Sequence, residues 1–124
     1  MKDKDKIILE KMIKYINELK GFILGYDNDM FNNDRKTINA CVFDLSQIGE
    51  LAGKVSEELI TENPQIEWRG IKSLRNRIVH DYDGINLNMI WGFLTEELEE
   101  LEMQLKEIQN NWIRTNRKMN WKSI

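Results

Sequence analysis

The stretch LNMIWGFLTEELEELEMQLKEIQNNW, residues 87–112, decides the fold. Leu87, Ile90, Leu94, Leu98, Leu101, Leu105, Ile108 and Trp112 recur in it at intervals of three and four. An α-helix turns once in about 3.6 residues, so these side chains form one heptad-like seam. The helix would run about 40 Å, and so either span a whole domain or pair across a dimer. Asn86 stands where a side-chain oxygen can cap its first amides.

The same period repeats upstream. Ile38, Cys41, Val42, Leu45, Ile48, Ala52, Val55 and Leu59 predict a helix of about six turns. Gly49 and Gly53 lie inside it, each costing roughly 1 kcal/mol of helix propensity, and close approach of another helix is the expected return. Asn63-Pro64 ends it, because the residue before proline avoids the helical region. Ile8, Met12, Ile16, Leu19 and Ile23 mark an N-terminal helix, with Asp3 or Asp5 as its cap. Gly21, Gly25 and Asp27-Asn28-Asp29 mark its end and a loop. Over 66–82, Ile71, Leu74 and Ile78 cluster on one side of a further helix. Asp81, Asp83 and Gly84 stop it, and Gly84 suits a left-handed cap. No segment alternates as a strand would. The chain reads as an all-α bundle of four or five helices over 1–113, with a basic tail over 114–124.

Composition narrows the function. The 124 residues are 41% hydrophobic and 31% charged, enough for one domain with a real core. One cysteine, Cys41, excludes an intrachain disulfide and a multi-cysteine metal site, and one histidine, His80, excludes a site needing two imidazoles from one chain. The polar N-terminus has no apolar segment behind it, and no apolar run approaches a membrane span. A cytoplasmic, reduced protein is expected. A net charge of −3 disfavours indiscriminate coating of nucleic acid. The charge is uneven, however. Residues 94–108 hold six glutamates and one lysine, whereas 69–80 hold Arg69, Lys72, Arg75, Arg77 and His80 with no acid. The tail adds Arg114, Arg117, Lys118 and Lys122.

The chemistry concentrates in Arg75-Asn76-Arg77-Ile78-Val79-His80-Asp81-Tyr82. Arginine binds phosphate oxygens bidentately, and histidine exchanges a proton near neutral pH. Those are the groups needed to cleave RNA through its own 2′-hydroxyl: a base for the 2′ proton and a cation for the phosphorane, with no metal required. On an ideal helix, however, Arg75 and His80 stand about 140° apart. Either the helix unwinds before His80 or a second copy completes the site. A lone histidine at a helix end can also simply serve the last carbonyls.

Arg75-x4-His80-x-Tyr82 resembles the signature of the HEPN superfamily, in particular its HepT-like branch. Ile48-Gly49-Glu50-Leu51-Ala52, Asn63-Pro64-Gln65-Ile66-Glu67-Trp68-Arg69-Gly70-Ile71, Gly84-Ile85-Asn86 and Ile90-Trp91 are similar to segments that accompany the motif there. The likeness covers roughly residues 5–110. Glu67 replaces a frequent second proline, and the tail has no counterpart. The resemblance implies a dimerising helical fold with two motifs facing a shared cleft. It implies a metal-independent, cofactor-free endoribonuclease, the toxin of a toxin–antitoxin pair, whose partner is a small nucleotidyltransferase. That partner would silence it by moving AMP onto Tyr82. Arg75 would contact phosphate and His80 would do acid/base work. Asn76, Arg77, Lys72 and Arg69 would help hold RNA. Some members of the superfamily are non-catalytic partners of the nucleotidyltransferase. A plain helical bundle paired through its heptad seam is the third reading.

Other groups carry less. Glu96, Glu97, Glu99, Glu100 and Glu102 read as a solvated face rather than a cation site. Cys41 reads as a small buried hydrophobe. Trp68 and Trp91 can stack bases but suit the core or an interface, and Trp112 continues the seam.

Overall fold

A computed structural model describes residues 1–80, 84 and 86–122, with the backbone alone at residue 79 and over 116–122. The helices are α1 (Asp3–Phe22), α2 (Asn28–Asn32), α3 (Arg35–Ala52), α4 (Glu57–Glu62), α5 (Trp68–His80), α6 (Leu87–Gly92) and α7 (Leu98–Lys122), with a π-helical turn over Phe93–Glu97 between the last two. No strand occurs among the described residues. α3 lies at the centre, with α1 on one flank and α5 on the other, and α7 closes against α1. None of these helices is long and apolar enough to cross a membrane.

The seam of the long helix is spent inside one chain. Leu94, Leu98, Leu101, Leu105 and Ile108 are buried together with Leu9, Met12, Ile16 and Leu19 of α1 and Leu45 and Ile48 of α3. The helix therefore spans the domain, and its seam is not a dimer contact. The intervals 90–94–98 are two fours in succession, which overshoot an α-helical stripe by about 80°. The π turn sits at that point, and its wider ring absorbs the excess.

The six-turn helix expected over 38–59 is two helices. α3 ends with Gly53 as its cap, and α4 is capped by Ser56, whose side chain accepts from the Leu59 amide at 3.2 Å. The break is imposed from α1. Asp5 is fully buried there and accepts from the Ser56 amide at 2.8 Å and the Ser56 hydroxyl at 2.6 Å. The apolar phase hides this interruption, because Val55 and Leu59 are buried on both sides of it. Asp5 is accordingly not the cap of α1. Lys2 holds that position, and its amide donates back to Asp5 at 3.2 Å.

The expected loop over 27–29 begins a short helix instead. Asp27 caps α2 through the Met30 amide, and α2 exists to bury Phe31, whose ring centroid lies 5.1 Å from that of Trp91. Asn86 caps α6 through the Met89 amide, and α4 stops just before Asn63-Pro64, both as read from sequence. Gly84 takes a 3₁₀ rather than a left-handed conformation, and among the described residues the positive φ falls at Gly25, beyond α1. Glu102 is not on the solvated face. It is buried, takes Lys20 Nζ at 3.0 Å, and so pins α7 to α1, while Glu96, Glu97, Glu99 and Glu100 remain exposed.

Burial acts to raise the Asp5 pKa, but its bonds to Ser56 and Lys2 outweigh this, and the net result lies below the ordinary 3.8. A carboxyl whose folded pKa is depressed contributes its full stability above the unfolded value and loses it as pH falls through the folded one. Asp5→Ala also strands a buried amide and should cost about 2–3 kcal/mol at pH 7. The difference from wild type should shrink below about pH 4, as read from denaturant midpoints across pH.

Candidate functional site

α5 is amphipathic. Trp68, Ile71, Leu74 and Ile78 fill its buried side. With that side fixed, 100° per residue puts Arg69, Asn76 and His80 within about 40° of each other on the outer stripe. All three are exposed, and so are Lys72 and Arg77 on either flank. The helix stays wound through His80, so unwinding does not bring His80 round to Arg75.

Arg75 is placed differently. It is half-buried, and its stem turns toward α3. A Cβ on Gly49 would stand 2.3 Å from the Arg75 Cβ and 2.9 Å from the Ile71 carbonyl oxygen. Neither atom is the free end of a flexible chain. The missing side chain of Gly49 is thus the space that α5 occupies, which bears out the close approach expected of this glycine. Lys72 passes the next glycine with more room, 3.6 Å from an ideal Cβ on Gly53. At its far end the Arg75 guanidinium donates from Nη1 to Asn76 Oδ1 at 3.1 Å. That bond tethers the cation to a residue of the outer stripe, one turn before His80.

The charged side chains of α5 are all basic. Among the described residues no ion pair engages Arg69, Lys72, Arg75 or Arg77. Arg69 and Lys72 also edge a cleft of about 330 Å³ against Gly53, Thr61 and Trp68, with Glu57 across it. An array of guanidinium groups not engaged in ion pairs among the described residues, with an adjacent amide and imidazole, is suited to grip phosphodiester oxygens and to move a proton beside them. Tyr82, the expected AMP acceptor, lies outside the described residues, as do Asp81 and Asp83.

The remaining candidates are structural. Cys41 is buried, and loss of hydration pushes its thiol up to about 12, which leaves it inert. Trp68 is buried and donates from Nε1 to the Asn63 carbonyl at 3.1 Å, while Trp91 is half-buried against Phe31. Trp112 has Lys6 Nζ 4.8 Å from its ring centroid. Sequence reading missed one group altogether. Asp44 is buried on α3 with Oδ2 unpartnered, and burial, then the Glu18 charge, lifts it to about 6.

Comparison with known proteins gives a consistent result. Residues 12–108 match the family described as Ribonuclease HepT-like. A candidate RNase of Methanocaldococcus jannaschii is 34% identical over 95 residues, covering 70% of this chain and 78% of that one. A candidate RNase of Caldanaerobacter subterraneus is 30% identical over 100 residues, covering 81% and 89%. A Thermococcus cleftensis protein, named as a candidate ribonuclease HepT, is 25% identical over 109 residues, covering 88% and 99%. No solved structure gives a significant match.

The glycine crossing can be tested directly. Gly49→Ala gains helix propensity but must push α5 off α3, and it should lose about 1–3 kcal/mol net. Gly53→Ala meets only ordinary contacts at a right-handed φ of −73° and should be neutral or stabilising by up to about 1 kcal/mol. Thermal midpoints of the two variants should move in opposite directions or, at the least, only that of Gly49→Ala should fall.

Proposed function

Because the chain belongs to the HepT-like ribonuclease family, we propose that it is an endoribonuclease whose site is built on the outer stripe of α5. The observation that carries this reading is the tether between Arg75 and Asn76 on a stripe that ends in His80, within a helix face free of carboxylates. The His80 imidazole takes the proton of a ribose 2′-hydroxyl. The 2′-oxygen attacks the adjacent phosphorus, and the 5′-oxygen leaves and takes up the proton that an imidazolium returns, giving a 2′,3′-cyclic phosphate and a 5′-hydroxyl end. Arg75 stabilises the charge that gathers on the phosphorane oxygens. Arg69, Lys72, Asn76 and Arg77 hold the backbone on either side. The 140° between the Arg75 stem and His80 favours a homodimer in which two α5 helices face one cleft, each supplying a face that the other lacks.

In the same reading the protein is the toxin of a toxin–antitoxin pair, held in check by a small nucleotidyltransferase. AMP on Tyr82, two residues past His80, would bring a phosphate anion and a bulky base to the cleft. It would neutralise an arginine and exclude RNA by charge and volume.

Purified protein should cut single-stranded RNA in the presence of EDTA. His80→Ala should lower the rate by about 10²–10⁴ and Arg75→Ala by a comparable factor, with both proteins still folded. Intact RNA at stoichiometric excess of unmodified wild type would defeat the proposal.

Co-expression with a cognate nucleotidyltransferase should add one AMP to the peptide holding Tyr82 and abolish cleavage. A Tyr82→Phe protein should stay unmodified and active. Intact-mass and peptide mass spectrometry read both results.

A further inference from the structure

The inner seam of α7 is buried, yet the helix carries a second stripe on its outside. Glu99, Met103, Lys106, Asn110 and Ile113 follow at intervals of four, three, four and three. All are exposed, Met103 at 67% and Ile113 at 43%. A single exposed methionine is ordinary. A three/four stripe opposite the one already buried is the pattern of a helix with a second partner.

The charges along α7 say which partner. Its first half, residues 98–110, holds Glu99, Glu100, Glu102 and Glu107 against Lys106. The remainder, 111–122, holds Arg114, Arg117, Lys118 and Lys122 and no acid. A parallel copy would lay acid on acid and base on base. An antiparallel copy lays each block on its opposite. With a two-fold axis at residue 108, Met103 meets Ile113 of the other copy, and Lys106 meets Asn110. The exposed Glu100 and Arg114 then flank the apolar layer as an opposite-charge pair. Each contact occurs twice by symmetry. Glu107 alone meets its own copy, beside the Lys106 of both helices.

We infer that the outer face of α7 is a self-pairing surface on which a second copy of the chain lies antiparallel, centred near residue 108. This surface is separate from the α5 stripe. α7 starts beside the N-terminal end of α5, where Glu97, Glu100 and Gln104 border Gln65 and Glu67, and its basic end runs on past Asn63 and Leu59. His80 is at the other end of α5. The inference therefore stands apart from the ribonuclease reading. Two such surfaces on a chain that also dimerises through α5 would link dimers into larger assemblies. With two apolar layers and exposed charges, the contact is weak and loosens as salt rises.

Cysteine trapping on the full chain tests both the contact and its direction. Met103→Cys and Ile113→Cys proteins, mixed and exposed to oxidised glutathione at low salt, should form a 103–113 disulfide. Each variant alone should not, because like residues are about 15 Å apart along the axis, beyond disulfide reach. The native Cys41 is buried and stays out of the reaction. In sedimentation equilibrium, Glu100→Lys and Arg114→Glu should each weaken association about ten-fold, and the two together should restore it. Cross-linking of Met103→Cys with itself, absence of the mixed disulfide, or charge reversals that leave association unchanged would overturn the inference.

Discussion

The structure depends on the crossing of α3 and α5 at Gly49. A missing β-carbon there lets the Arg75 stem and the Ile71 carbonyl approach the α3 backbone more closely than any other residue would permit. This fixes how far α5 stands from α3 and how it is rotated. Once Ile71, Leu74 and Ile78 are turned into the core, Arg69, Asn76 and His80 have only solvent to face. One glycine thus sets both the packing of the bundle and the outward aim of its basic stripe. The buried stem of Arg75 follows from the same contact. The residue that most resembles a phosphate ligand is anchored in the helix crossing, and only its guanidinium reaches outward to Asn76.

Two of the acidic residues are held in the core, away from that stripe. Asp5 is spent on Ser56, and Glu102 on Lys20, each joining elements far apart in sequence. Of the exposed glutamates, Glu96, Glu97, Glu99 and Glu100 gather around the start of α7, and none lies on α5 itself. A chain of net charge −3 therefore keeps a positive surface, because the field near a site follows the nearest charges and is screened beyond about 10 Å at 0.1 M salt. Net charge argued against indiscriminate nucleic-acid binding. It never argued against one basic helix face.

Periodicity made the main helices legible because burial of one face is a local property of the sequence. It showed the α1 stripe, the α7 seam, the Asn86 cap and the stop at Asn63-Pro64. It failed where a distant residue decided. Val55 and Leu59 keep the phase of α3 across a break that Asp5 imposes from 51 residues away. Glu102 lies off the α7 seam and reads as solvated until Lys20 closes over it. Phe31 sits in a segment that composition marks as loop, and only the ring of Trp91 shows why it turns helical. The site was legible as a string of residue types. That Gly49 and Arg75 occupy one space was not, since spacing within one segment says nothing about which helix will cross it.

The geometry also constrains the chemistry that the α5 stripe can perform. Arg75 and His80 begin on different sides of one helix, and the helix does not unwind to join them. The tether to Asn76 closes part of that angle for the guanidinium, because a long side chain can bend where a backbone cannot. It does not move the imidazole. One α5 thus offers a cation and a base on adjoining rather than coincident faces, and such a pair grips two sides of a phosphodiester best when a second surface closes opposite. In the proposed homodimer, two α5 helices facing each other would meet that requirement. In that proposed dimer, rigidity at Gly49 would be an advantage, since each helix would arrive with its cation already aimed.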